Sequence, residues 1–160
     1  MNNDLIVELD PPRIEHRSGF LIAGLGERFT FETNHGIPRL WQKFGPCIGQ
    51  IPGQQGSVTY GVCCRSDAAG SFEYIAGVEV SGFADIPANF SRLQLPAQKY
   101  VVFSHRDHIS SIRNTVYTIW NQWLPGSQYQ HAEGPDFERY DEDFDPQTGV
   151  GLVEIWVPIK

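Results

Sequence analysis

Apolar residues recur at helical spacing in two parts of the chain. Over residues 37–44 the apolar side chains fall on one face, and Pro38 suits the first turn of a helix, where its missing N–H is not needed. Over residues 109–124 a longer apolar stripe ends before Pro125, and Asp107 is placed to cap the first turn. The pattern therefore predicts one helix in each segment.

The segments around these helices have the composition of β-strands, with β-branched and aromatic residues between turn-forming ones. A further short strand is expected at Leu5–Leu9, ahead of the main series. The main predicted strands are a long one over residues 13–31 with a bend near Ser18-Gly19, then 58–65, 72–80, 92–103, 136–144 and the last segment, Gly149–Lys160.

The last strand combines apolar residues with a single carboxylate. Side chains alternate between the two faces of a strand, so Glu154 and Trp156 share one face, and Val153, Ile155 and Val157 share the other. A glutamate on an edge strand commonly points to water. Alternatively, a buried carboxylate without a partner is costly and favours a proton or a cation beside it. Both interpretations are open at this point.

The order of predicted elements occurs twice. Trp41 and Trp120 are 79 residues apart, and so are Pro46 and Pro125, which follow the two helices. A unit of strand–helix–strand–strand, used once over about residues 11–80 and again over about 91–159, accounts for this offset. We therefore predict an α+β fold of duplicated units with pseudo-two-fold symmetry, an antiparallel sheet with two helices on one face, and a central cleft. The junction of two similar lobes is a favoured ligand site.

Composition and charge narrow the classes of function. The formal net charge of −7 at pH 7 disfavours nucleic-acid binding and suits neutral or cationic partners. We find no signal peptide, and no apolar run approaches the roughly 20 residues of a membrane span. The three cysteines form no disulfide or zinc pattern, so we expect a reducing cytoplasm, no metal and no cofactor.

Several segments of the chain resemble the GyrI-like family. In chain order they are PRIEHRSGFLIAGL, IPRLWQKF, YVVFSHRDHISSIRNTVYTIWNQWLP, DFERYDEDFDP and VEIWVPI. The family is the effector-binding domain type of AraC-type and MerR-type regulators such as Rob and BmrR, and it also occurs as stand-alone proteins. The resemblance covers residues 11–160 and leaves residues 1–10 as an N-terminal lead. Because that lead has no room for a helix-turn-helix, the resemblance implies a stand-alone member without direct nucleic-acid binding.

The resemblance also implies a cleft for small lipophilic, often cationic, molecules, with a buried acid among aromatic side chains. By position in the motifs that acid is Glu154, with Glu138 as the second candidate. Aromatic side chains on the same strands and on the two helices would surround the cation, each adding about 0.5–2 kcal/mol of attraction. The candidate ligand-binding residues are therefore Glu154, Trp156, Glu138, Tyr140, Trp120 and Trp41.

These candidates also have plain structural interpretations. Trp41 and Trp120 fall at the spacing of core residues. Glu138 belongs to an acidic run, residues 136–145, and such runs are usually solvated. Tyr74, on the matching strand of the first unit, is assigned to packing.

Three functions are compatible with the sequence. The favoured one is a stand-alone protein that captures a lipophilic, cationic small molecule without converting it, either as a monomer or as a homodimer. A second is a GyrI-like hydrolase of reactive small molecules, in which Glu154 activates water. A third is a gyrase-inhibitor-like protein-interaction module that presents the acidic run to a basic surface.

Overall fold

The computed structural model describes residues 6–30 and 32–160. Short 3₁₀ turns precede both helices, and a π-helical turn at Ile119–Trp123 continues the second one. In chain order the main elements are β1 (Arg13–Arg17), β2 (Phe20–Phe29), α1 (Ile37–Phe44), β3 (Gln54–Cys64), β4 (Phe72–Val80), β5 (Ser91–Leu95), β6 (Gln98–His105), α2 (Ile112–Thr118), β7 (Asp136–Asp145) and β8 (Val150–Pro158).

The strands pair antiparallel in one eight-stranded sheet, in the order β1-β6-β8-β7-β3-β4-β2-β5. Counted from either edge, the order has the same form: β1-β6-β8-β7 corresponds to β5-β2-β4-β3. The predicted α+β fold, with an antiparallel sheet and two helices, is confirmed. Duplication of the two units stays a prediction, because a matching strand order does not by itself establish a repeat.

Both helices cover the same face of the sheet. Directly paired residues on neighbouring strands share a face, and one such row crosses six strands. At its β2–β4 end, Leu40 and Phe44 of α1 pack in one apolar cluster. At its β8–β6 end, Ile119 and the α2 side chains pack in another. The row is Leu25, Ala76, Gly61, Glu138, Ile155 and Phe103.

The middle of this row, on β3 and β7, lies between the areas that the two helices cover. This region has the position expected for the predicted central cleft, and we call its sheet surface the cleft floor. The opposite face of the sheet carries a third apolar cluster, rich in aromatic rings that meet edge-on or stacked. Apolar clusters therefore lie on both faces of the sheet, and polar side chains buried among them need local partners.

The long strand predicted over residues 13–31 is wrong in one respect, because it is two strands. β1 pairs with β6 in the other half of the sheet, whereas β2 pairs with β4 and β5. The break falls at the predicted bend, where a Cβ on Gly19 would lie 3.0 Å from the Leu95 carbonyl oxygen. The segment predicted over residues 92–103 divides in the same way, into β5 and β6.

Two further predictions need correction at the α2 side. The helix predicted over residues 109–124 is α-helical only in α2. The 3₁₀ turn Ile109–Ser111 that precedes α2 is capped by His108 rather than Asp107, because His108 Nδ1 accepts a hydrogen bond from Ser110 N. The strand predicted at Leu5–Leu9 is wrong for residues 6–9, and Leu5 lies outside the described residues. Val7 N instead donates to Thr118 Oγ1 of α2. The predicted bounds of α1 and β4 are confirmed.

Candidate ligand-binding cleft

Small and polar side chains meet on the cleft floor. On the helix face, β3 contributes residues with little bulk, while β7 contributes two carboxylates and a phenol. The floor is therefore acidic along one strand and open to side chains reaching over the other. These residues are Thr59, Gly61 and Cys63 from β3, and Asp136, Glu138 and Tyr140 from β7.

Glu138 is the centre of a hydrogen-bonded aromatic group. Its Oε1 accepts a hydrogen bond from the Tyr74 hydroxyl at 2.8 Å and another from the Tyr140 hydroxyl at 2.7 Å. Trp41 Nε1, from α1, donates to the Tyr74 hydroxyl at 3.0 Å. The Trp41 ring meets Tyr140 edge-on, with centroids 5.4 Å apart. Three aromatic side chains thus surround one carboxylate.

Gly61 makes room for this group. It lies on β3, between the strands that carry Tyr74 and Glu138. A Cβ at this position would overlap the Tyr74 hydroxyl and lie 2.8 Å from Glu138 Oε1. The close approach therefore requires glycine here, for reasons of space rather than backbone conformation.

Burial and hydrogen bonding shift the pKa of Glu138 in opposite directions. The side chain is half-buried, and desolvation raises its pKa, while the hydrogen bonds from Tyr140 and Tyr74 and the field of His105 oppose that rise. Desolvation, followed by the charge of Glu138, raises the pKa of both tyrosines well above the ordinary value. Both phenols therefore keep their protons and act as donors to the carboxylate.

Asp136 is the second carboxylate of the floor. It lies opposite Cys63 in the register of β3 and β7. Desolvation, together with the charge of Glu138 and against a backbone hydrogen bond, raises the pKa of Asp136 to about 7. Desolvation and the same two carboxylates raise the pKa of Cys63 well above its ordinary value, so its thiol stays protonated and is a poor nucleophile.

Glu154 and Trp156 lie on the opposite face of the sheet. Glu154 is 8% exposed, and its Oε2 accepts a hydrogen bond from Arg13 Nη2 at 2.7 Å. Its Oε1 accepts one from Trp156 Nε1 at 3.2 Å and lies 3.6 Å from Arg139 Nη1. The interpretation of Glu154 as an unpartnered carboxylate is therefore wrong, because two arginines offset its burial. These contacts also disfavour Glu154 as the general base of the hydrolase alternative.

The structure thus divides the predicted site residues between surfaces. Glu138, Tyr140 and Trp41 come together in the cleft. Glu154 and Trp156 border a separate depression of about 460 Å³ on the other face, where ligand contact stays a prediction. Trp41 cannot line a site at Glu154, because Trp41 packs on the helix face of the sheet and Glu154 lies on the opposite face.

Trp120 lies in the apolar cluster around Phe103, Ile119 and Ile155, which we call the α2-side cluster. Its ring centroid there is 4.7 Å from that of His131. No hydrogen bond or ring contact joins Trp120 to Glu138 among the described residues. Its predicted role as a cleft wall stays a prediction.

Sequence reasoning missed three contributors to the cleft: Tyr74, Gly61 and Asp136. Alternation along β7 could have identified Asp136, because it places Asp136, Glu138 and Tyr140 on one face. Nothing local indicates Tyr74 or Gly61, since their roles depend on which strands are neighbours.

His105, at the end of β6, has a structural role. His105 is buried, with Nδ1 2.8 Å from Thr115 Oγ1 of α2 and Nε2 3.0 Å from the His108 carbonyl oxygen. Across residues 6–30 and 32–160, no group of three or more His, Cys, Asp or Glu side chains is arranged to hold a metal ion. In the same part of the chain, no helix has the length and apolar character needed to cross a membrane.

Comparison with solved structures shows the fold. The structure of SAV2435 bound to tetraphenylphosphonium matches with a TM-score of 0.76 and 20% identity, over 94% of each chain. An integron cassette protein from Vibrio cholerae matches with a TM-score of 0.69 and 21% identity, over 95% of this chain and 97% of that one.

Comparison with curated proteins adds two relatives. The transcriptional regulator BrlR of Pseudomonas aeruginosa is 34% identical over 149 residues, which are 92% of this chain and 54% of the regulator. A DNA gyrase inhibitor of Erwinia billingiae is 30% identical over 66 residues, 41% of this chain and 42% of the inhibitor. The chain thus spans about half the length of the curated relatives it matches.

A family model described as the GyrI-like small molecule binding domain matches residues 10–160, which include every strand and helix described above. This range agrees with the expected resemblance over residues 11–160. The chain therefore belongs to the GyrI-like family of small-molecule-binding domains.

Proposed function

We propose that this domain binds lipophilic organic cations in the cleft between α1 and α2. Glu138 is the anionic contact, and Trp41, Tyr74 and Tyr140 are the aromatic ones. The observation that carries the proposal is the environment of Glu138. It is a half-buried carboxylate that accepts hydrogen bonds from two phenols, and it has no ion pair with any Lys, Arg or His among the described residues.

The cost of burying the Glu138 carboxylate favours binding of an organic cation. A desolvated carboxylate is costly unless a positive charge accompanies it. An organic cation supplies that charge together with an apolar surface, and each aromatic face adds about 0.5–2 kcal/mol. The two tyrosine hydrogen bonds hold the carboxylate in place before the ligand arrives, which reduces the ordering cost of binding.

The comparison with SAV2435 supports the same ligand class. That protein, which shares this fold, has been solved with tetraphenylphosphonium bound. Tetraphenylphosphonium is a bulky monocation with only aromatic surface, so it suits an acidic cleft with aromatic walls. Tetraphenylborate has nearly the same shape and the opposite charge, and it provides a matched control.

Isothermal titration calorimetry with these two ions tests the proposal. We expect the protein to bind tetraphenylphosphonium and not tetraphenylborate. Glu138→Gln keeps the shape of the side chain and removes its charge, so affinity for the cation should fall about 10- to 100-fold. Glu154→Gln, the matched change on the opposite face, should alter that affinity less than about twofold.

Two results would overturn the proposal. One is equal binding of both ions, which would mean that shape alone decides recognition. The other is an unchanged affinity in Glu138→Gln, above all if Glu154→Gln lowers it instead. That second pattern would locate the recognition acid on the other face of the sheet.

A further inference from the structure

Arginine accompanies most of the carboxylates that the fold shields from water. Among the described residues, five half-buried or buried carboxylates have an arginine nitrogen within 3.2 Å of an oxygen. Asp136 and Glu138 are half-buried too, and no such partner is found for either in this part of the chain. The five paired residues are Glu15, Glu73, Glu79, Asp141 and Glu154.

The two exceptions occupy one place in the fold. Asp136 precedes Glu138 by two residues on β7, so both side chains leave the strand on the helix face. Successive residues on one face of a strand are about 7 Å apart. No hydrogen bond joins the Asp136 carboxylate to another side chain among the described residues. The cleft floor therefore holds two carboxyl groups at a fixed spacing, beside aromatic rings.

One monovalent cation cannot match this floor. A cation over Glu138 leaves Asp136 without a counter-charge of its own, and the charge of Glu138 disfavours ionisation of Asp136. The other titratable groups near the pair are Cys63, Tyr74 and Tyr140, which keep their protons, and His105, whose field reaches Glu138. None of them supplies a fixed positive charge next to Asp136.

We infer that Asp136 is a second anionic contact in the same cleft, and that the preferred ligands are dications with charges about 7 Å apart. This inference rests on the proposed function and specifies its ligand class. Bis-quaternary ammonium compounds with a short linker have the required chemistry. The aromatic rings of Trp41 and Tyr140 would contact one cationic head group, at Glu138, while Asp136 binds the other.

A pair of isosteric probes tests the inference. The first is a bis(trimethylammonium) compound with a four-methylene linker, and the second is its monocationic analogue, with one trimethylammonium group replaced by tert-butyl. Calorimetry is carried out at pH 8, where Asp136 is ionised. The wild-type protein should bind the dication at least about tenfold tighter than the analogue.

Two variants then test whether Asp136 causes the tighter binding of the dication. Asp136→Asn should bring the affinity ratio close to one while leaving the affinity for the monocation within about twofold. Asp141→Asn, a control on the same strand whose carboxylate pairs with Arg139 Nη1 at 3.2 Å, should keep the full ratio. Circular dichroism of each variant verifies that it is folded.

The outcomes separate this inference from the proposed function. Suppose that the monocation binds and that Glu138→Gln weakens its binding. If the wild-type protein then binds the dication no tighter than the monocation, or if Asp136→Asn still binds the dication tighter, the proposed cation site at Glu138 stands and the role of Asp136 is refuted. If neither probe nor tetraphenylphosphonium binds the wild-type protein, both ideas fail together. Loss of the dication preference in Asp141→Asn alone would also refute the role of Asp136.

Discussion

The Tyr74 hydroxyl donates a hydrogen bond to Glu138 Oε1 across an intervening strand. Tyr74 is on β4 and Glu138 is on β7, and β3 lies between them. The bond passes over Gly61, which has no side chain to block it. A single glycine therefore allows two halves of the sheet to share one polar group, and the cleft chemistry depends on it.

Gly61→Ala should lower both stability and cation affinity. The new methyl group would overlap the Tyr74 hydroxyl, so the phenol must move and its hydrogen bond to Glu138 is lost. We expect a loss of about 1–3 kcal/mol in the free energy of unfolding, from overpacking and the broken bond. Urea denaturation measures the first effect, and calorimetry with tetraphenylphosphonium measures the second.

Gly45→Ala is the matched control for this change. Gly45 follows α1 with helical dihedral angles, and a Cβ there meets no atom within 4 Å. It should leave cation affinity unchanged and stability the same or slightly higher, because alanine restricts the unfolded chain. Equal changes in the free energy of unfolding and in cation affinity for the two variants would contradict the steric role of Gly61.

Glu154→Gln should destabilise the protein. Glu154 is nearly buried between Arg13 and Arg139, so removing its charge leaves two guanidinium groups without their shared partner. Because the Arg13 side chain is 47% exposed, water offsets part of the loss, and we expect about 1–2 kcal/mol rather than the full cost of a buried pair. Urea denaturation at neutral pH measures the change.

Asp10→Asn is the control that tests whether loss of an exposed ion pair also lowers the free energy of unfolding. Asp10 pairs with Arg106 at 3.1 Å, but both side chains are more than half exposed. The change should alter the free energy of unfolding by less than about 0.5 kcal/mol. A Glu154→Gln protein as stable as the wild type would show that the buried pair contributes nothing net.

Trp41→Leu should weaken cation binding more than Trp120→Leu does. Trp41 lies beside Tyr140 and donates to Tyr74, whereas Trp120 lies against His131 in the α2-side cluster. Loss of one aromatic face should reduce tetraphenylphosphonium affinity by about 0.5–2 kcal/mol. Titration of both variants compares them directly, and an equal loss would make Trp120 a second wall of the cleft.

The sequence predicts the elements better than it predicts their partners. The spacing of apolar residues locates α1, and the composition of residues 72–80 locates β4, because both signals are local. Pairing of β1 with β6 is not local. The pattern cannot show that the chain crosses to the other half of the sheet at Ser18-Gly19.

The same limit applies to the choice between two acids. Glu154 stands alone among apolar residues, so it appears unpartnered in the sequence, but Arg13 lies 141 positions away along the chain and meets it in the fold. Glu138 stands in an acidic run, so it appears solvated. Its burial follows from the position of β7 in the middle of the sheet, which no local pattern of charge reports.

The final prediction concerns pH and Asp136. Burial raises the pKa of Asp136 to about 7 in the folded protein, above the ordinary value of 3.8 for an unfolded chain. Below pH 3.8 both states hold the proton, and the favourable environment of the neutral acid contributes fully to stability. As the pH rises towards 7, the unfolded state loses the proton first and is stabilised, so the free energy of unfolding falls until the folded acid ionises as well.

Asp136→Asn removes this titration and keeps the size of the side chain. Its free energy of unfolding, measured relative to the wild type in urea, should therefore increase from pH 4 to pH 7 and then stay level, by a total on the order of 1–3 kcal/mol. Parallel pH profiles for Asp136→Asn and the wild type would mean that Asp136 ionises freely, and the cleft floor would then hold one desolvated carboxylate rather than two.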